Sequence, residues 1–431
     1  MRTLALLLLL VLPVLLVGGC KTKPQTTAPT PPATPASTPA AQNAAPATAS
    51  SNDSEWPRFQ GPYGNSLAPA QEFNTDWNSQ APQKLWEVAM GDNGFAGPSS
   101  AGGKVYILDH QGAEDVVRCL DLNSGTEAWT YRYAEGGGDN YGFSRATPCI
   151  SGGKVYTISR SGLVNCLGAA SGQKVWSKSL ASDLGGGAPQ WLYAPSPIVD
   201  GNALIVVPGG AKGAVASLNK DTGAVIWQGG GSEKCSYATP VPADIGGVKQ
   251  YVIFGAKALF GVRADSGKQL WRVGWETGCD VNAATPLVDG SRIIITSGYS
   301  HGCAGVQVSG NSAKIAWQNK AIQAHFSSSV LYQSKVYGIG DPGNLVCLDP
   351  TNGKVLWQQS GFEKGGLIVV YGHLMAFQGG DGALVLAKAS PTAYAEVGRF
   401  TPLGGQSWTA PIVAGGKLIV RNKTKLAAFA L

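Results

Sequence analysis

Charge is scarce in this chain. Only 14% of its 431 residues are Asp, Glu, Lys or Arg, and the formal net charge is +6. No cluster or stripe of Lys and Arg stands out, so the footprint of a nucleic-acid binder is missing. The eight cysteines form no Cys-x-x-Cys and no Cys-x-x-Cys-His, which removes the spacings that zinc and haem attachment need. No His-Glu-x-x-His occurs either, and no G-x-S-x-G nucleophile elbow is expected. The four histidines, His110, His301, His325 and His373, are scattered, and a surface or loop position is expected for His110, His301 and His373.

Glycine, by contrast, is plentiful (59 residues) and apolar residues make up 44%. That mixture suits many short strands joined by tight turns, and argues against coiled coils and wholesale disorder.

The N-terminus stands apart. Residues 1–20, "MRTLALLLLLVLPVLLVGGC", hold one early Arg, an apolar run and then Gly18 and Gly19, the pattern of a targeting segment. Val17-Gly18-Gly19-Cys20 resembles the lipobox of bacterial lipoprotein signals, which implies cleavage before Cys20 and lipid on that residue. An ordinary signal peptide or a transmembrane anchor is the alternative; a Cys directly after two small residues favours lipidation. Lys21 follows rather than Asp, so nothing resembles the inner-membrane retention signal. The expected location is the cell envelope, at the outer membrane facing the periplasm. Residues 21–54 contain seven prolines and no large apolar residue, so they cannot offset the entropy of folding and read as an extended tether.

Beyond the tether a repeat dominates. Trp86, Trp129, Trp176, Trp227, Trp271, Trp317 and Trp357 lie 43, 47, 51, 44, 46 and 40 residues apart, and a degenerate unit ends near Val397. Gly125, Gly172, Gly223, Gly267 and Gly353 each stand four residues before a Trp. Ahead of each lies an apolar strand, and ahead of that a Gly-centred hairpin such as "ATPCISGGKVYTI" (146–158). Each unit therefore holds four strands, A to D, with Trp on D. Four-stranded units of this length are propeller blades. The first D strand, "KLWEVAM" (84–90), has no A, B or C before it, and the chain ends on three strands without a D. The fold expected over 55–431 is all-β: an eight-bladed propeller of four-stranded antiparallel blades, closed by N- and C-terminal strands in one blade.

The D-x-x-[ST]-G-x-x-x-W signature resembles the PQQ-like (quinoprotein-type) β-propeller repeat, and is similar to that of the BamB-like outer-membrane assembly lipoproteins. "EWPRFQGPYGNS" (55–66), "DVNAATP" (280–286) and "HFSSSVL" (325–331) add to the resemblance. It implies the fold firmly and an activity only weakly, because one fold hosts many functions. Quinoprotein dehydrogenases hold their cofactor against adjacent cysteines, with calcium and an Asp base; this sequence has no adjacent Cys pair. Neither a cofactor nor a metal is expected.

Equivalent tryptophans in successive blades point to packing, with each indole wedged against a neighbouring blade. Cys119, Cys166 and Cys347 share with Ser217 and Gly261 the slot six residues before the turn glycine, which asks for a small side chain. Cys149 sits in an apolar slot of strand A. Cys235, Cys279 and Cys303 break the pattern; Cys279–Cys303 and Cys235–Cys279 disulfides are open, as are free thiols.

The remaining candidate is the mouth of the central channel. The loop position before each innermost strand carries Phe95, Arg145, Ala194, Tyr237, Ala283, Phe326, Gly365 and Trp408, with Trp191, Asp280, Asn282 and His325 beside it. Such a set suits a peptide or small polar ligand. It would equally serve as a plug, with Asp280 and Arg145 as a structural ion pair. Two classes compete: a lipid-anchored, non-catalytic scaffold that holds an envelope protein, and a divergent quinone-dependent dehydrogenase. A sugar- or peptide-binding propeller is a third.

Overall fold

Alternating apolar strands and Gly turns build eight sheets, each of four antiparallel strands. The computed structural model describes residues 55–431; the targeting segment, the tether and Cys20 lie outside them. Seven blades are contiguous in sequence: 99–134, 149–179, 198–229, 241–274, 287–319, 330–360 and 367–400. The eighth takes Ile412–Ala414, Lys417–Arg421 and Lys425–Ala430 from the C-terminus and Lys84–Ala89 as its outer strand. Lys84 pairs with Phe429 and Ala89 with Lys425, so the expected closure forms.

Burial follows position in the blade. In the first blade, Lys104–Gln111 and Glu114–Asp121 are buried along almost their whole length, because both faces meet neighbouring blades. The outer strand, Glu127–Ala134, alternates exposed and half-buried, since one of its faces meets solvent.

The tryptophans lock each blade to the next. Trp129 Nε1–H donates to Ala169 O (2.9 Å), Trp176 to Lys220 O (3.0 Å) and Trp227 to Ala264 O (3.0 Å). Trp86, Trp317 and Trp357 donate likewise to Leu122, Pro350 and Ser390. Every acceptor lies in the C–D turn of the following blade. The turn glycine lies under the same indole: a Cβ on Gly172 would stand 2.5 Å from the Trp129 ring. The small slot lies on the other side, with Cys119 opposite Trp129, Cys166 opposite Trp176 and Cys347 opposite Trp357. Two exceptions have physical reasons. The blade after Trp271 joins its last strands through a two-residue turn at Gly310–Asn311, which offers no such carbonyl, and Trp271 donates within its own blade to Gln250 Oε1 (2.7 Å). Val397 needs no indole, because the eighth blade has no C–D turn. Trp77, from the segment before the closing strand, fills that place, 2% exposed and 5.2 Å from the Phe400 ring.

Candidate ligand-binding site

The innermost strand of each blade borders the channel, and the loop before it forms the rim. Phe95, Arg145, Ala194, Tyr237, Ala283, Phe326 and Trp408 all line one cavity of about 220 Å3. In the seventh blade the lining residue is Gly366, one position after Gly365. Trp191 and His325 line it too, as do Tyr141 and Tyr299, which repeat counting does not reach because they lie in loops of irregular length.

The floor comes from residues 56–66. Trp56 exchanges backbone hydrogen bonds with Ser100 (2.9 and 2.8 Å), and Ile150 N–H donates to Pro57 O (2.8 Å). Across the channel, Val369 N–H donates to Ser66 O and Ala68 N–H to Val369 O (2.9 and 2.8 Å). These partners stand on innermost strands of the first, second and seventh blades, so the segment crosses the channel and places Trp56, Phe59, Gln60 and Ser66 in the cavity wall. The channel thereby becomes a cup. No periodicity in the sequence announces this; the only signal was the segment's place in the family resemblance.

Aromatic rings form a belt, one chain of contacts through the cup, crossing its mouth where Tyr141, from the loop before the second blade, meets His325, from the loop before the sixth. Phe95 stacks on Trp408 (4.9 Å, 20°), which meets Phe326 (4.9 Å), which meets His325 (5.4 Å). His325 contacts Tyr299 (4.7 Å) and Tyr141 (6.0 Å); Tyr141 meets Trp191 edge-on (5.8 Å), and Trp191 meets Tyr237 (6.2 Å). Hydrogen bonds hold the belt in place. Trp191 N–H donates to the Tyr237 hydroxyl oxygen (3.1 Å), and Arg145 donates to Trp191 O. His325 Nδ1 lies 3.0 Å from Lys364 Nζ and Nε2 lies 3.1 Å from the Tyr299 hydroxyl. Burial, with Lys364 adding to it, pushes the His325 pKa down to about 4, so the imidazole is neutral at pH 7. With Lys364 donating to Nδ1, the proton sits on Nε2 and is given to Tyr299.

Asp280 and Asn282 do not line the cup. From Val281 onward the backbone is extended, so Val281, Ala283 and Thr285 face the channel while Asn282 and Ala284 face the blade core. Asn282 donates to Gly255 O (2.8 Å) and accepts from Ser297 Oγ (2.8 Å). Asp280, at the end of a single 3-10 turn with φ +58°, pairs with Lys257 (2.7 Å). An Arg145–Asp280 pair does not form; Arg145 lies 3.4 Å from Asp139 instead.

Three other expectations change. His110 is buried (2% exposed), 3.0 Å from the Asp115 carboxylate and from Gly112 O, and stacked on Phe143 at 3.7 Å. It lies on Lys104–Gln111, a strand buried along almost its whole length, and not in a loop. Of the alternatives left open, Cys235 and Cys303 are buried free thiols, so Cys279 is bridged to neither. "GYSHG" (298–302) carries the G-x-S-x-G spacing of a nucleophile elbow, against the expectation that the sequence holds none. It joins strands Arg292–Ser297 and Gly302–Ser309 of one hairpin, with no helix following, and the His301 ring packs on Trp275 (4.3 Å). That is not the strand–turn–helix geometry of an elbow.

Comparison with known proteins adds a family. Residues 113–359, more than half of the chain, match the family described as outer membrane protein assembly factor BamB. The protein of that name from Yersinia pestis is 21% identical over 80% of this chain and 88% of its own length. That from Moranella endobia is 22% identical over 66% of this chain and 73% of its own. Among solved structures, a europium-containing methanol dehydrogenase superposes with a TM-score of 0.63 at 12% identity, covering 88% of this chain and 99% of that one. At that identity it shows the fold alone.

Proposed function

Because the chain belongs to the family of outer membrane protein assembly factor BamB, we propose that it is a non-catalytic interaction scaffold of the cell envelope, anchored through lipid on Cys20 and working in outer-membrane protein assembly. The propeller's mouth holds the partner. The observation that carries this reading is the aromatic belt: seven rings and one imidazole in one chain of contacts that lines and crosses the cup. The belt is half-buried, and aromatic surface held rigid by its own hydrogen bonds is what interface hot spots are made of.

The residues do not fit a quinone with calcium. Among the described residues, no Asp, Glu or Cys lines the cup, and no group of three or more His, Cys, Asp or Glu could hold a metal ion. A dehydrogenase of the type the fold resembles would need both a cation site and a carboxylate base there.

The test uses the full lipidated chain as bait in envelope extract. Trp408→Ala combined with Tyr237→Ala should weaken capture of an assembly component by about tenfold or more, while the melting temperature stays nearly unchanged. Intact capture with a fall in stability would make the belt a plug. Labelled palmitate should enter the unsubstituted protein and not the Cys20→Ala variant.

A further inference from the structure

We propose that the cup is a binding site for an aromatic carboxylate: one ring taken in among the belt, with its carboxylate at Arg145. The inference rests on reading the mouth as a site, and names the chemistry it recognises.

Charge makes the first argument. Among the described residues lining the cup, Arg145 is the one charged side chain apart from the neutral His325, and none is acidic. The charge of Arg145 is not cancelled by its neighbour. Asp139 accepts from Arg160 Nη2 at 2.6 Å and lies farther, 3.4 Å, from Arg145 Nη1. Two guanidiniums thus share one carboxylate, and one positive charge is left over. Arg145 is largely buried, so an anion arriving there would meet a poorly screened cation, where a charge-assisted hydrogen bond is strongest.

Unpartnered groups make the second. Gln60 (7% exposed) and Thr285 (4% exposed) both line the cup, and Gln60 Nε2 and Thr285 Oγ1 have no hydrogen-bond partner in the protein. An amide nitrogen can only donate. The wall thus combines one cation with hydroxyls that can donate or accept, and within it an anion gains most, from Arg145. A sugar, whose hydroxyls must also donate, would find no carboxylate opposite them.

Shape makes the third. A cavity of roughly 150 Å3 lined by apolar groups takes up benzene. The cup, at about 220 Å3, has room for one ring and a short stem carrying a carboxylate. Its walls are rings set at 20° to 86° to one another, which present both faces and edges to a guest.

The experiment is calorimetric titration of 3-phenylpropionate and 3-phenylpropionamide into the purified full chain. The acid should bind about tenfold more tightly than the amide, as expected of a hydrogen-bonded charge. In Arg145→Met the preference should vanish while the amide binds as before, a split that general loss of structure would not produce. Ala194→Trp, which fills the cup and leaves Arg145 in place, should abolish binding of both. Hexapeptides ending in phenylalanine, with free or amidated C-terminus, separate the sources. A free-ended peptide binding more tightly than 3-phenylpropionate marks a chain end as the ligand, and a weaker one marks a small acid. Equal binding of acid and amide to the unsubstituted protein, or binding of neither, overturns the proposal without recourse to any variant. So does a preference that survives in Arg145→Met. Because these titrations need no partner, probes that bind while the Trp408/Tyr237 variant still captures its partner would show that the partner docks elsewhere than the mouth and leave this proposal standing.

Discussion

At Gly172 two demands coincide, and they can be separated. The backbone is left-handed (φ +69°), and a Cβ there would lie 2.5 Å from the Trp129 ring of the preceding blade. Gly153 has nearly the same backbone (φ +72°) with nothing within 4 Å of its would-be Cβ. Gly153→Ala therefore pays only for left-handed backbone, roughly 1 kcal/mol. Gly172→Ala adds overpacking against a ring that is itself hydrogen-bonded to Ala169, typically a further 1–3 kcal/mol, so its expected cost is about 3 kcal/mol. Urea unfolding of the two variants reads the difference through the midpoint and slope. In a Trp129→Ala background the clash is gone, and Gly172→Ala should then cost no more than Gly153→Ala, a coupling of about 2 kcal/mol. Equal losses for the two glycine variants in the unsubstituted protein would refute the argument that the indole, and not the turn alone, demands glycine.

Three further outcomes are expected. Deleting residues 84–90 or 409–431 removes strands from the closing blade and exposes sheet edges, so either truncation should lose cooperative unfolding or aggregate; a truncated chain that melts like the intact one would rule out the closure. Burial lowers the His325 pKa from 6.5 to about 4, so the unfolded chain takes up a proton before the folded one does. Stability from this group is full above pH 6.5 and is lost as pH falls toward 4, by about 2 kcal/mol or more, and His325→Gln should flatten that part of the stability profile measured by denaturant titration. With pyrroloquinoline quinone and calcium added, the purified protein should not reduce a dye acceptor with alcohols; calcium-dependent reduction would move it to the dehydrogenases.

Much of the molecule was written along the chain. The Trp spacing, the glycine four residues earlier and the orphan strand at 84–90 determined blade count, blade composition and closure. They could do so because each blade is a local, consecutive meander whose signals fall within about fifty residues. Rim residues such as Phe95, Arg145, Tyr237 and Trp408 were legible for the same reason, as one loop position repeated from blade to blade. Asp280 was misplaced because it closes a 3-10 turn that no local pattern records, and Asn282 because strand alternation from Val281 turns it to the blade core. The floor of the cup, the replacement of a missing indole by Trp77, and the sharing of Asp139 between Arg145 and Arg160 came only from the tertiary structure. The floor and the replacement join residues some three hundred positions apart, Ser66 with Val369 and Trp77 with Phe400. Contacts across a closed ring depend on where the ring brings its ends, and that geometry exists only once all eight blades are in place.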